Sequence, residues 1–68
     1  MECRELYSNF IDLAGDDFRE DILEYKKLSD DVELPSYAVR DSAIKVRLVD
    51  GDWFRVYEVV GSGEIEWY

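Results

Sequence analysis

Carboxylates are the side chains with most chemistry to offer in this sequence: 17 Asp and Glu stand against 8 Lys and Arg in 68 residues, a formal net charge of -9. Grouped carboxylates serve three kinds of chemistry. A pair works as general acid, base or nucleophile, a loop of them holds calcium, and a row of them competes with phosphates for a basic surface. The first needs one carboxyl in a desolvated cleft, which so short a chain hardly provides. The second needs a calcium-loop spacing that neither Asp30-Asp31-x-Glu33 nor Asp50-Gly51-Asp52 has. The third fits a pattern in the chain. Projected at ~100° per residue, Asp17, Glu20, Asp21 and Glu24 share a sector roughly 100° wide of a helix expected over residues 17–28, with Arg19, Lys26 and Lys27 to the other side. Asp30, Asp31 and Glu33 extend the row, as do Asp12 and Asp16. Solubility is the competing explanation, because a helix dipole favours acids in the first turn and charge runs commonly form solvated faces.

Other reactive types are sparse. There is no His, so the usual neutral-pH acid–base group and the commonest metal ligand are both missing. Cys3 is the lone cysteine; it has no partner for a disulfide, no His to activate it and no companions for a zinc site. Gly61-Ser62-Gly63 lacks the lysine of a phosphate loop and lies between strand-like segments, where a hairpin turn accounts for it. These absences predict a protein that is not an enzyme and carries neither metal nor cofactor.

A second constellation, Trp53, Arg55 and Tyr57 with Lys45 and Arg47, has the aromatic and cationic mixture of a nucleic-acid-binding sheet. The net charge argues against direct contact with nucleic acid. Cross-strand packing and cation–π contact explain the mixture structurally. As a functional alternative, Trp53, Arg55 and Tyr57 would form a protein-binding patch, against another protein or a second copy of the chain.

These residues must be positioned by one small domain. At 47% hydrophobic and 15% aromatic the chain is too apolar for a disordered acidic tail. The start, Met1-Glu2-Cys3-Arg4-Glu5, is not that of a signal peptide, and no apolar run reaches the ~18 residues of a membrane span. Together with the single cysteine this predicts a cytoplasmic location, away from membranes. Tyr7, Ile11, Ala14, Phe18, Ile22 and Tyr25 recur at helical spacing. Gly15 resembles a helix end, and Asp17 followed by Glu20 resembles a capping box, so two helices are expected, over 4–14 and 17–28. A single helix running through Gly15 is the alternative. Residues 29–36, with Pro35, form the connection to a sheet.

From residue 37 the period becomes two. Ile44, Val46 and Leu48 alternate with polar neighbours, Asp50-Gly51 signals a hairpin, a strand follows over about 53–60, and Glu64 to Tyr68 forms a short last strand. Tyr37–Val39 is a candidate fourth, edge strand. A bulge at Asp50-Gly51 sets Phe54, Val56, Val60, Ile65 and Trp67 on the face of Ile44, Val46 and Leu48, leaving Lys45, Arg47, Trp53, Arg55 and Tyr57 outside; a plain two-residue turn would instead bury Arg55. The expected fold class is α+β, with one or two N-terminal helices on a three-stranded antiparallel meander. Residues 1–34 hold 11 acids and 4 bases, whereas residues 35–68 hold 6 acids and 4 bases. That distribution leads to the expected function: a small acidic inhibitor or regulator that binds a basic, nucleic-acid-binding surface of a target protein by charge mimicry. The composition is similar to that of phage-type nucleic-acid mimics. An interaction or assembly module using the aromatic sheet face is the alternative.

Overall fold

The computed structural model describes residues 1–68. One helix, α1 (Cys3–Phe18), leads through a 3-10 turn (Arg19–Asp21) into four strands: β1 (Ile22–Lys27), β2 (Ala38–Leu48), β3 (Trp53–Val59) and β4 (Ile65–Trp67). The strands lie in chain order, each antiparallel to the next. The fold is α+β, a helix packed on a four-stranded antiparallel sheet.

Leu6, Phe10 and Ala14 recur every fourth residue and are buried against Ile44, Val46 and Val56 of the sheet. Cys3, Tyr7, Ile11 and Phe18 widen the apolar stripe on both sides. Aromatic contacts lock the helix in place: Tyr7 stacks on Tyr25 with ring centroids 4.1 Å apart, Phe10 meets Trp67 edge-on at 5.1 Å, and Phe18 meets Phe54 at 5.0 Å. Burying a Leu or Phe side chain stabilises by ~1.5–3 kcal/mol, so this contact outweighs the ~1 kcal/mol that a glycine costs inside a helix. The helix therefore runs through Gly15 and does not break there. Arg19 uses the room, its Nη2 lying 3.0 Å from where a Cβ on Gly15 would be.

The second helix expected over 17–28 is absent. Asp17 and Phe18 end α1, and residues 22–27 are an edge strand. A bulge explains the helical appearance of their spacing: the β1–β2 register slips between Ile22 and Glu24, leaving Leu23 unpaired. The extra residue places Ile22 and Tyr25 on the same face of the sheet, opposite Leu48 and Val46, although they are three apart. The candidate strand at Tyr37–Val39 is likewise no separate element, because β2 begins at Ala38.

The β2–β3 hairpin has the register expected from a bulged turn, with Ile44 opposite Val56 and Val46 opposite Phe54. Gly51 N–H donates to Leu48 O at 3.1 Å and Leu48 N–H to Asp52 O at 2.8 Å, a three-residue loop closed by Gly51 at φ 99. Ile65 and Trp67 join the face under α1 as expected. Val60 does not; it lies in the following turn and is exposed.

β2 carries a second, larger irregularity. Val39 pairs with Glu58 and Ile44 with Val56, so Arg40 to Ala43 all fall opposite Tyr57. This detour folds the 28–36 segment over one end of the other sheet face, where Leu28, Ala43 and Tyr57 form a small second core with Val32, Leu34 and Trp53 against it. Arg40 clamps the segment by donating to the carbonyls of Ser29 and Val32. Leu28 N–H donates to Ala43 O at 2.9 Å.

Candidate functional site

Where the sequence reading assembled one carboxylate row, the fold distributes its members over three places. Asp17 is in the last turn of α1, and Glu20 and Asp21 belong to the 3-10 turn that follows. With Asp16 and Arg19 they line a polar concavity of about 340 Å³ beneath Gly15, with no apolar side chain in its wall. Glu24 leaves this group. It lies on β1 opposite Arg47, and its Oε1 accepts from Arg47 Nη1 at 2.7 Å on the far face of the sheet. Asp30, Asp31 and Glu33 are also separated, because the 28–36 segment that bears them packs on the face opposite α1. Asp31 accepts the Ser29 hydroxyl. The physical reason for both departures is the conversion of residues 22–27 into a strand, which takes the chain across the sheet edge.

A different carboxylate stripe takes the place of the expected one. At ~100° per residue, Glu2, Glu5, Asp12 and Asp16 fall in a sector roughly 80° wide on the outward side of α1, beside the buried row of Leu6, Phe10 and Ala14 and roughly 120° from its centre. All four are exposed. The same projection that grouped Asp17 to Glu24 finds this stripe when applied to residues 2–16; the capping signal at Asp17 drew it to the wrong segment.

Electrostatics at the C-terminal end of α1 run against local stability. The carbonyl end of a helix carries partial negative charge and favours cations. Here Asp16 and Asp17 occupy the last turn, which contains no basic residue, and although Arg19 caps the helix, Glu20 and Asp21 follow it, four acids to one cation. None of the four carboxylates has an ion-pair partner; the molecule's one ion pair is Arg47–Glu24. The dipole argument that would make these acids structurally favourable in a helix beginning at residue 17 is therefore reversed.

On the far face, Trp53 sits in a ladder of cations and rings. Lys45 Nζ and the Arg55 guanidinium each lie 4.5 Å from the Trp53 ring centroid, and Arg55 also lies 4.7 Å from the Tyr68 centroid. Lys26 is the cross-strand partner of Lys45, adding a further cation. Tyr57, expected to be exposed beside Trp53 and Arg55, is only 2% exposed. Its hydroxyl donates to Glu66 Oε1 at 2.9 Å, and its ring meets those of Tyr37 and Tyr68 edge-on. Burial, reinforced by these neighbours, pushes its phenol far above the usual range. The large detour in β2 folds the 28–36 segment over this position, which a register argument could not foresee. Trp53 and Arg55 remain partly open.

No group of three or more His, Cys, Asp or Glu side chains is arranged to hold a metal ion, and no helix is long and apolar enough to cross a membrane. No family model, curated protein or solved structure matches this chain. What the molecule offers a partner is its surfaces. They differ in character: an acidic helix side, and an opposite sheet face on which cations surround a tryptophan, with Glu24, Asp30, Asp31 and Glu33 on the same side of the molecule.

Proposed function

We propose that the protein is a non-catalytic acidic inhibitor or regulator that works in the cytoplasm and binds the basic, nucleic-acid-binding surface of a target protein by charge competition, without cofactor or metal. The observation that carries this reading is the placement of Asp16, Asp17, Glu20 and Asp21. They gather around one cation, Arg19, with no ion pair among them, at a helix end whose dipole disfavours acids, and this surplus of negative charge that the fold does not pair points to a use outside the fold. The exposed stripe of Glu2, Glu5 and Asp12 continues the same surface along α1. Attraction over this surface accelerates encounter with a basic partner and weakens as salt screens it.

A second reading has its own support. The open Lys45–Trp53–Arg55–Tyr68 ladder has the Trp and Arg composition of an interaction hot spot, and it would serve a protein-binding or assembly module with Tyr57 as buried support.

Capture from a cell extract, repeated at low and high salt, separates the two readings. Charge reversal at Asp16, Asp17, Glu20 and Asp21 should abolish recovery of a nucleic-acid-processing protein, and salt should do the same. Recovery that survives both but disappears in a folded Trp53→Ala variant would overturn the acidic-surface reading in favour of the sheet face.

A further inference from the structure

The two edges of the sheet are guarded unequally. β1 carries Lys26 and Lys27 and the Leu23 bulge, devices that discourage another strand from pairing. β4 has no bulge and no lysine. Its ladder bonds to β3 run through alternate residues: Val59 N–H donates to Glu64 O at 2.8 Å, and Arg55 and Tyr68 exchange bonds of 2.8 and 3.1 Å. Glu66, paired with Tyr57, falls in the same set. By the alternation of an antiparallel ladder, the N–H and C=O groups of Ile65 and Trp67 point away from β3, along the open edge.

A groove of about 560 Å³ runs beside this edge, between α1 and the start of β4. Asn9, Asp12 and Leu13 line it from the helix, and Gly63, Glu64 and Ile65 from the sheet. Leu13 is 64% exposed, an apolar side chain outside the core. The charge here has one sign. Asp12 and Glu64 are in the wall, Glu58 Oε2 lies 3.9 Å from the Cβ position of Gly63, and no Lys or Arg lines the groove.

We propose that β4 and α1 form a docking site for an extended, basic segment of the partner protein, which adds to the sheet as a fifth strand. Its backbone pairs with the outward groups of Ile65 and Trp67. Apolar side chains on one side of the segment settle on Leu13 and Ile65, while the alternating Lys or Arg side chains on its other side reach Glu64 and Glu66, and a basic residue at either end of the segment reaches Asp12 or Glu58. For the charge of its partner this inference rests on the acidic-surface reading above, and adds the mode of recognition: main-chain pairing at one edge.

The experiment uses the full chain made by chemical synthesis, in a native form and with the Ile65 amide N-methylated, which removes one outward N–H while keeping the side chain. Two probes are titrated, an octapeptide alternating Lys and Val and an octalysine. The alternating peptide should slow hydrogen exchange at the Ile65 and Trp67 amides. N-methylation should weaken its binding by about tenfold or more, the loss of one edge hydrogen bond with the peptide's group left unpaired. Leu13→Arg, at an exposed position away from the core, should weaken it too, which covers the case in which N-methylation disturbs folding. Octalysine should bind more weakly and leave both amides unprotected. Equal binding of the alternating peptide to native and N-methylated chains, or no protection at Ile65 and Trp67, overturns the strand site. If octalysine binding is lost on charge reversal at Asp16, Asp17, Glu20 and Asp21, the acidic-surface reading survives that result; octalysine binding indifferent to those four acids overturns the reading itself.

Discussion

Beneath α1 the sheet is sealed by Leu6, Phe10 and Ala14 packed on Ile44, Val46 and Val56, whereas its opposite face is sealed only at one end, where the 28–36 segment covers Tyr57. The rest of that face is held by Trp53 between two cations and by one ion pair. The difference separates a face that carries the main core from surfaces that the fold leaves open. Apolar periodicity organises the first face, and its exposed back, the outside of α1, collects negative charge. The second face collects Lys26, Lys45, Arg47 and Arg55 around Trp53, beside Glu24 and the acids of the 28–36 segment, so a chain of net charge -9 has a cationic cluster within a mixed face.

The contrast predicts a steep gradient of mutational effects. Phe10→Ala should be the most damaging substitution, losing ~3–5 kcal/mol in urea unfolding, because it empties the centre of the sealed face. Stabilities of ~0.05–0.15 kcal/mol per residue leave a domain of this length little reserve against such a loss. On the other face Trp53→Ala should lose less, about 1–3 kcal/mol, from two partly exposed cation–π contacts and its packing against the small second core. Equal losses at the two positions would break the comparison.

Alkaline titration sharpens it further. The Tyr57 phenol is raised above the ordinary tyrosine value of 10.0, chiefly by burial, so it holds its proton in the folded state after the unfolded chain has lost it. Its contribution is therefore fully present below pH 10 and declines as pH rises beyond. Tyr7 is raised as well, by burial and then by Tyr25 against the pull of Arg19, and it adds to the same decline. Urea unfolding of Tyr57→Phe should show a shallower alkaline loss than the parent protein.

The smallest effects should differ in sign between the faces. Asp16→Asn and Asp17→Asn should each raise stability by ~0.3–1 kcal/mol at low salt, since they relieve a mismatch with the helix dipole. Glu24→Gln should lower it by ~0.2–1 kcal/mol, the worth of an exposed ion pair. Chemical denaturation at low salt distinguishes these directions.

The sequence was most legible where one period governs a segment. The alternation of Ile44, Val46 and Leu48 identified a buried face, and the register that avoids burying Arg55 is the register found, whereas the helical stripe of Tyr7, Ile11, Ala14 and Phe18 caught only the flank of a face centred on Leu6, Phe10 and Ala14. It misled where a bulge imitates a helix: Ile22 and Tyr25, three residues apart, share a face because Leu23 is extruded. That one substitution of strand for helix removed Glu24 from the acidic group and carried Asp30, Asp31 and Glu33 to the far side. Asp17, Glu20 and Asp21 stayed together for a different reason, at the end of a helix and not at its beginning. The burial of Tyr57 depends on the four-residue detour Arg40 to Ala43 opposite it, which no local periodicity encodes. The groove beside β4 was illegible for a similar reason, since it joins Leu13 to Ile65 across the whole chain.

The central claim is that the acids at the C-terminal end of α1 lower stability in exchange for binding. One variant tests both halves: Asp16→Asn, Asp17→Asn, Glu20→Gln and Asp21→Asn together, compared with the parent in urea unfolding and in calorimetric titration with octalysine at low and high salt. The account predicts a protein that is more stable yet binds octalysine more weakly and with a shallower salt dependence. A variant that binds as tightly as the parent, or one that is less stable, would contradict it.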